Sequence, residues 1–513
     1  MGQEIGRSPR TTGVLLHPSS LPNSPVCGTF GSPAREWLRM LARNGIGVWQ
    51  FLPIATTDQT GSPYSSPSSF SYNPWFIDVN DLVEDEFLPA SVVNELPGAD
   101  CQNLDCVDFR LADLRSQRVG ESLREFWEHQ STEKHKEFNL WCEKQFWLED
   151  HCFFMVFRRQ NNGCAWWDWP SSFSEYKKSK LDRWKIEFKD DLLEQCLLQW
   201  HLDRQWKSLK KLARELGVLL FGDLPFYVSR DSSDVWSQTS LFSIFSSGKL
   251  FLQSGVPPDY FSESGQLWGT PVYRWSKHKS TRYRWWRNRV LSHLQQVDLL
   301  RIDHFRAFDS YWAVPGNDEI AKDGFWLPSP GLKLLAMFKR DHGGKLPLIA
   351  EDLGVITSKV GRLRDYFGLP GMKILQFAFD GNTCNPYLPE NINGNNWIVY
   401  TGTHDNSTTC GWWDELDDET RRSVSIRFND QDMSPSWQLI ELGLSTSSKL
   451  FVAPLQDLLS LGNSCRLNKP GTIEENWSWR LSSFDFDLTE AMKKYAELAK
   501  KYKRKFEDAF LLL

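Results

Sequence analysis

Eight short apolar runs separated by helical patterns constrain this chain more than any other feature. They cover residues 13–17, 48–53, 219–224, 299–305, 346–352, 373–379, 397–403 and 450–454, each rich in Val, Ile, Leu and Phe and bounded by polar residues, Gly or Pro. Most are continuous rather than alternating, which predicts strands buried on both faces of a parallel sheet. Helical patterns lie between them, at 35–44, 202–216, 283–296 and 356–367. A strand–helix alternation repeated eight times predicts an α/β fold of the closed (β/α)8, or TIM-barrel, type. With 513 residues and 41% hydrophobic content the chain is able to bury such a core.

The gap between the second and third runs is far longer than the usual connection of about 2–6 residues. It predicts the largest of the inserted subdomains, mainly helical, over about 80–200, where charged and aromatic residues recur at helical spacing (LREFWEHQ, FNLWCEKQFWLED). Just before it, residues 57–78 are rich in Ser, Pro and Gly. They interleave Tyr64, Phe70, Tyr72, Trp75 and Phe76, which predicts an ordered loop on the barrel mouth rather than a linker. Residues 256–274 (VPPDYFSESGQLWGTPVYR) read as a second, hinged loop over the site. The stretch after Asp487 reads as a closing helix. The expectation is one catalytic barrel over 1–513 with no all-β C-terminal domain.

A formal net charge of −6 and a pI near 6.0 leave no positive excess to replace phosphate counterions, so nucleic acid is not the expected partner. No run approaches the roughly 18–20 apolar residues that span a bilayer. The apolar stretch 13–16 is too short for a signal-peptide core, so a cytoplasmic protein is expected. Ten scattered cysteines without a CxxC pair predict reduced thiols and neither a metal site nor a cofactor. Aromatics are 14% of the chain, most of them expected in the core.

Three of the runs end in an acid: LLRIDHFRAF (299–308), LIAEDLG (348–354) and VYTGTHDNSTTCGWW (399–413) place Asp303, Glu351 and Asp405 at C-terminal strand ends. In a parallel barrel those ends carry the chemistry. Paired carboxylates are the minimum apparatus for breaking a glycosidic bond. Period-2 alternation puts Arg301 on the face of Asp303, where a cation keeps a carboxylate ionised as a nucleophile requires. Glu351 emerges from an apolar strand, and partial desolvation raises a carboxyl toward the range of a general acid. Asp405 sits among His404, Asn406 and Ser407, a set of donors and acceptors fit for sugar hydroxyls. Each has a plainer reading: a buried ion pair at Arg301–Asp303, capping of the next helix by Glu351 and Asp352, a solvated turn at Asp405. Asp223 after the third run, Asp380 after the sixth, and Asp259, Gln266 and Trp268 in the second loop add polar groups on the same rim.

Taken with HPSSLP (17–22), GSPYSSPSSFSYNP (61–74), GDLPFYVSRDSSDVW (222–236), GMKILQFAF (371–379) and LNKPGT…NWSWR (467–480), these segments resemble the amylomaltase, or 4-alpha-glucanotransferase (disproportionating enzyme), family of alpha-amylase-like barrels over nearly the whole chain. The resemblance implies Asp303 as nucleophile, Glu351 as general acid/base and Asp405 as the third acid, stabilising the transition state. It places Arg301, His304 and His404 around the reacting glucose with Tyr64, Asp223 and Asp380 nearby, and Asp259, Gln266 and Trp268 over donor and acceptor subsites. The implied reaction moves a segment of a 1,4-alpha-glucan, from a maltooligosaccharide or glucan donor, to glucose or another maltooligosaccharide. It proceeds with retention, for which the two working carboxyls stand about 5–5.5 Å apart. Segment 461–468 (LGNSCRLN) departs from the family's pattern, which bears on acceptor preference. The competing readings are a retaining hydrolase with the same acids and a noncatalytic glucan-binding barrel. A metal-dependent phosphosugar barrel lacks its ligand cluster and Gly-rich loop.

Overall fold

The computed structural model describes residues 9–101, 104–258, 264–428 and 432–513. The strands, in chain order, are β1 (Thr11–Leu15), β2 (Val48–Gln50), β3 (Leu219–Leu224), β4 (Leu252–Val256), β5 (Gln266–Pro271), β6 (Leu299–Ile302), β7 (Ser310–Pro315), β8 (Phe325–Pro328), β9 (Leu348–Ala350), β10 (Gly371–Ile374), β11 (Trp397–Tyr400) and β12 (Leu450–Pro454). Eight of them form one sheet in the order β10-β11-β12-β1-β2-β3-β6-β9. Every pairing in it is parallel. Across the remaining gap the Ala350 N–H donates to the Pro370 carbonyl at 2.8 Å, so the sheet curls round to meet itself. The fold is therefore the expected α/β barrel.

Burial explains the continuous apolar runs: every residue of β1, β3, β6 and β12 is buried, by the opposite wall on one side and by helices on the other. At the β9–β10 seam a side chain on Gly371 would come within 2.5 Å of the Trp397 ring and 2.6 Å of the Asp352 carboxylate, so glycine sets how closely the two strand ends approach. Asp352 accepts from the Met372 N–H at 2.8 Å and pairs with Arg364. It pins the seam and caps no helix, since the next helix, Ser358–Tyr366, is capped by Thr357. At the other end of the barrel the buried Arg504 donates to the carbonyls of Thr11 and Ser448, and so plugs the base.

Between β2 and β3 the chain forms the helices Phe109–Glu125, Thr132–Lys144, Leu148–Gln160 and Lys189–Leu216, with shorter ones between. The last spans 28 residues, well before the expected start at 202, and ends at Gly217 in the left-handed conformation with φ 78°. Its Trp206 wedges between Phe30 and Phe51 and locks it to the barrel wall. In the preceding loop Phe70, Tyr72, Trp75 and Phe76 are buried.

The rim differs from expectation in one respect. Residues 256–274 include β5, and with β4, β7 and β8 they make a four-stranded antiparallel sheet of order β5-β4-β7-β8. It is assembled from the connections after β3 and after β6, so residues 266–271 of the expected loop form a strand paired with β4. These strands are short and partly exposed, and β5 begins and ends among Gly and Pro, which removes the buried-strand pattern that marks the barrel. Several barrel strands also end earlier than read. Residues 375–377 form a 3-10 turn rather than the end of β10, and Asp303 and Glu351 each stand one residue beyond their strand.

Candidate active site

The mouth of the barrel gathers its acids around one cation. Arg301, buried on β6, donates through Nη1 to Asp223 Oδ2 at 2.5 Å and through Nη2 to Asp303 Oδ1 at 2.8 Å. The two-residue spacing of Arg301 and Asp303 put both on one face, and Asp223 enters because β3 pairs with β6 in register Asp223↔Arg301. The Tyr64 hydroxyl donates to the same Asp223 oxygen at 2.7 Å. Burial pushes the Asp223 carboxyl up, with Arg301 opposing, and its Oδ1 is buried without a partner among the described residues. That oxygen is an acceptor ready for a hydroxyl.

Glu351 reaches across to the end of the neighbouring strand β6. Its Oε2 accepts the His304 N–H at 2.7 Å and its Oε1 the Leu353 N–H at 3.0 Å. His304 presents that N–H because its backbone is left-handed, φ 54° and ψ 49°, a conformation costing about 1–2 kcal/mol outside glycine. Burial raises the Glu351 carboxyl from 4.5 to about 7, the Asp303 charge adds to the rise, and Arg301 and the two N–H donors restrain it. The imidazole of His304 is pushed by burial down to about 4, so it is neutral at pH 7. Its Nε2 has no partner among the described residues, and Trp268 on β5 meets the ring edge-on at 5.0 Å. Gln266 accepts from the Trp268 Nε1–H at 3.2 Å.

Asp405 is held by a different set of residues. Its Oδ1 accepts from Asn468 Nδ2 at 2.6 Å and lies 3.3 Å from His404 Nε2, while Arg466 donates to its carbonyl at 2.5 Å. The His404 ring stacks on Tyr64 at 5.2 Å, and Trp477 flanks both at 5.9 and 5.8 Å. Both ends of the loop are fixed by the buried Asp457, which accepts from Thr401 Oγ1 at 2.5 Å and from Thr409 N and Oγ1 at 2.7 Å each.

Of the residues singled out from sequence, Tyr64, Asp223, Arg301, His304, Asp303, Glu351, His404 and Asp405 thus share one mouth, with Trp268 and Gln266 on the hairpin above it. Asp380 does otherwise: its carboxylate accepts the Asn382 N–H at 3.0 Å, is kept below the usual range by that bond, and closes its own exposed turn. Asp259 lies outside the described residues. Sequence reasoning missed Arg466, Asn468, Trp477 and Asp457. Asp457 follows a strand just as the three singled-out acids do, Arg466 stands in the segment noted for departing from the family pattern, and Asn468 and Trp477 stand in the motif LNKPGT…NWSWR, which was read for the resemblance but given no role. Among the described residues no three His, Cys, Asp or Glu are placed to share a metal ion, and no helix is long and apolar enough to cross a membrane.

Comparison with known proteins identifies the family of the chain. The profile of the 4-alpha-glucanotransferase family matches residues 16–487. A 4-alpha-glucanotransferase of Synechocystis sp. is 40% identical over 474 residues, covering 92% of this chain and 94% of its own. That of Thermus thermophilus is 39% identical over 482 residues, covering 92% and 95%. Among solved structures, the amylomaltase of Streptococcus agalactiae in complex with acarbose superposes with a TM-score of 0.90 at 32% identity, covering 97% of this chain and 100% of that one.

Proposed function

Because the chain belongs to the 4-alpha-glucanotransferase family and carries that activity, we propose that it works by a retaining double displacement with Asp303, Glu351 and Asp405 as its acids. An Asp303 oxygen attacks the anomeric carbon as the bond to the leaving oxygen breaks, and the Glu351 proton goes to that oxygen. The glycosyl group is then an ester of Asp303. The hydroxyl of an incoming glucose or maltooligosaccharide attacks the same carbon, its proton passes to Glu351, and Asp303 is released. The observation that carries this reading is the contrast between two neighbouring carboxyls: Asp303 is ion-paired with Arg301 at 2.8 Å, while burial lifts Glu351 to about 7.

Around them Tyr64, Asp223, His404 and Asp405 are assigned to the hydroxyls of the reacting glucose, with the open Asp223 Oδ1 as one acceptor. Arg301 and His304 frame the reacting centre, and Gln266 and Trp268, with Asp259, are assigned to the donor and acceptor chains. The donor is a maltooligosaccharide or longer 1,4-alpha-glucan, glycogen-derived chains included, and the acceptor is glucose or a maltooligosaccharide. We place the enzyme in the cytoplasm, as one catalytic barrel with the helices of about 80–200 as a subdomain. Neither nucleic acid nor membrane is a partner, in keeping with its net charge of −6.

Incubation with maltotriose tests the proposal. Glucose plus a ladder of longer maltooligosaccharides is expected, with a glycosylated Asp303 peptide trapped by acid quench. Glucose and maltose alone, or full turnover by Asp303→Asn, would refute it.

A further inference from the structure

The acids account for the bond that breaks but not for how a long glucan is held at the mouth. One aromatic side chain on the rim has the placement for that task. β8 is the outer strand of the antiparallel sheet, and its Trp326 is 40% exposed beside Phe325, 43% exposed. Outer strands usually carry charge or cover rather than large rings, so an exposed indole there is informative.

The ring is fixed before any ligand arrives. The Arg306 guanidinium lies 3.9 Å from its centroid. Trp312 meets it at 5.2 Å and 64°, and is itself anchored by its Nε1–H on the Ala321 carbonyl at 2.8 Å. Arg306 also donates to the Val355 carbonyl. Arg306 follows Asp303 by three residues and Val355 follows Glu351 by four. One guanidinium therefore ties the indole to both loops that carry the reacting carboxyls. Its Nε is buried without a partner among the described residues.

We propose that Trp326 is a stacking platform for a pyranose ring of the acceptor glucan, with Arg306 fixing its plane. This rests on the transfer reading above. A flat, rigid indole loses little freedom on binding and matches the C–H face of a sugar, and a neutral polymer needs no charge to be recognised. A glucan is the occupant because the patch is continuous, through Arg306, with the mouth that such a chain has to enter.

The test compares Trp326→Ala and Trp326→Tyr with wild type, using glucose and maltotetraose as labelled acceptors and following thermal midpoints in parallel. For Trp326→Ala the ratio of kcat/KM with maltotetraose to that with glucose should fall about tenfold, the worth of one good ring contact, and Trp326→Tyr should restore most of it. An unchanged ratio overturns the proposal. So does an equal loss with both acceptors accompanied by a lowered midpoint, which would mark the indole as packing alone. Release of unlabelled glucose without any labelled product in wild type would instead sink the transfer reading, and the platform with it.

Discussion

Replacing Glu351 by Gln, with stability followed across pH, isolates the physical basis of the proposed acid. In the unfolded chain this carboxyl titrates near 4.5, and in the folded protein burial holds its proton to about 7. Between those values the native state keeps a proton that the unfolded chain has released. Stability therefore falls as pH rises through that window, being fullest below 4.5 and lost by the time pH passes 7. At about 1.4 kcal/mol per pH unit the whole change is about 3 kcal/mol. At about 2.1 cal/mol/K of unfolding entropy per residue, over 513 residues, that corresponds to about 3 °C in thermal midpoint. Glutamine carries no proton to lose, so the midpoint of Glu351→Gln should gain on wild type by about 3 °C between pH 4.5 and pH 8. The alkaline limb of wild-type kcat/KM should lie near 7. In an Asp303→Asn background the charge that adds to the rise is gone, so the gain should shrink and its window move to lower pH. A difference between Glu351→Gln and wild type that does not vary with pH would mean that the carboxyl is not desolvated, and the acid assignment would lose its physical basis.

Arg301→Leu leaves Asp223, with a side chain 1% exposed, buried without its cation; denaturant titration should register a loss of about 3–5 kcal/mol, and a loss below about 1 kcal/mol would show that Arg301 does not hold the buried carboxylate in place. Asp457→Asn keeps the shape but gives the Thr401 and Thr409 donors one acceptor oxygen in place of two. About 1–3 kcal/mol of stability should go, and kcat on maltotriose should fall more than KM rises, because the loop that slackens carries Asp405. Removing residues 259–268, and with them Trp268 over His304, should raise the ratio of free glucose to transferred oligosaccharide; an unchanged ratio would show that the hairpin does not keep water from the ester.

What the chain discloses locally and what it hides follow from the range of the interactions. Strands buried on both faces leave a continuous apolar run that needs no partner to be recognised, so the eight walls of the barrel were legible, as was the Arg301–Asp303 pair, two residues apart on one strand. Desolvation of Glu351 was legible for the same reason, since it follows from the apolar strand on which the acid sits. The Tyr64–Asp223 bond joins residues 159 apart, and Asn468 meets Asp405 across 63. Neither leaves a trace in its own neighbourhood. The antiparallel sheet was missed because its strands come from two separate connections, and only closure of the barrel brings β4 against β7. Asp457 was missed although the signal was present: it is an acid just past a buried strand, and its use in fastening a loop shows that this pattern alone does not separate reacting carboxyls from structural ones.

The same geometry bears on why transfer prevails over hydrolysis. In the proposed double displacement, esterification of Asp303 removes its negative charge, and with it one of the contributions that raise Glu351. Glu351, having given up its proton, is then a weaker base than the free enzyme's carboxylate, able to take a proton only as the incoming hydroxyl bonds to the anomeric carbon. Water and a sugar hydroxyl make the same demand of it, so the acids do not distinguish them. Preference for sugar must come from groups that bind the acceptor and keep it over the ester, where proximity replaces a bimolecular encounter. The groups proposed for that role lie on the antiparallel sheet, with Trp268 over His304 at one edge strand and Trp326 on Arg306 at the other. Substitutions in the sheet should therefore change the fate of the glycosyl group at a given rate of its formation, whereas substitutions among the acids should change the rate and leave the partition alone.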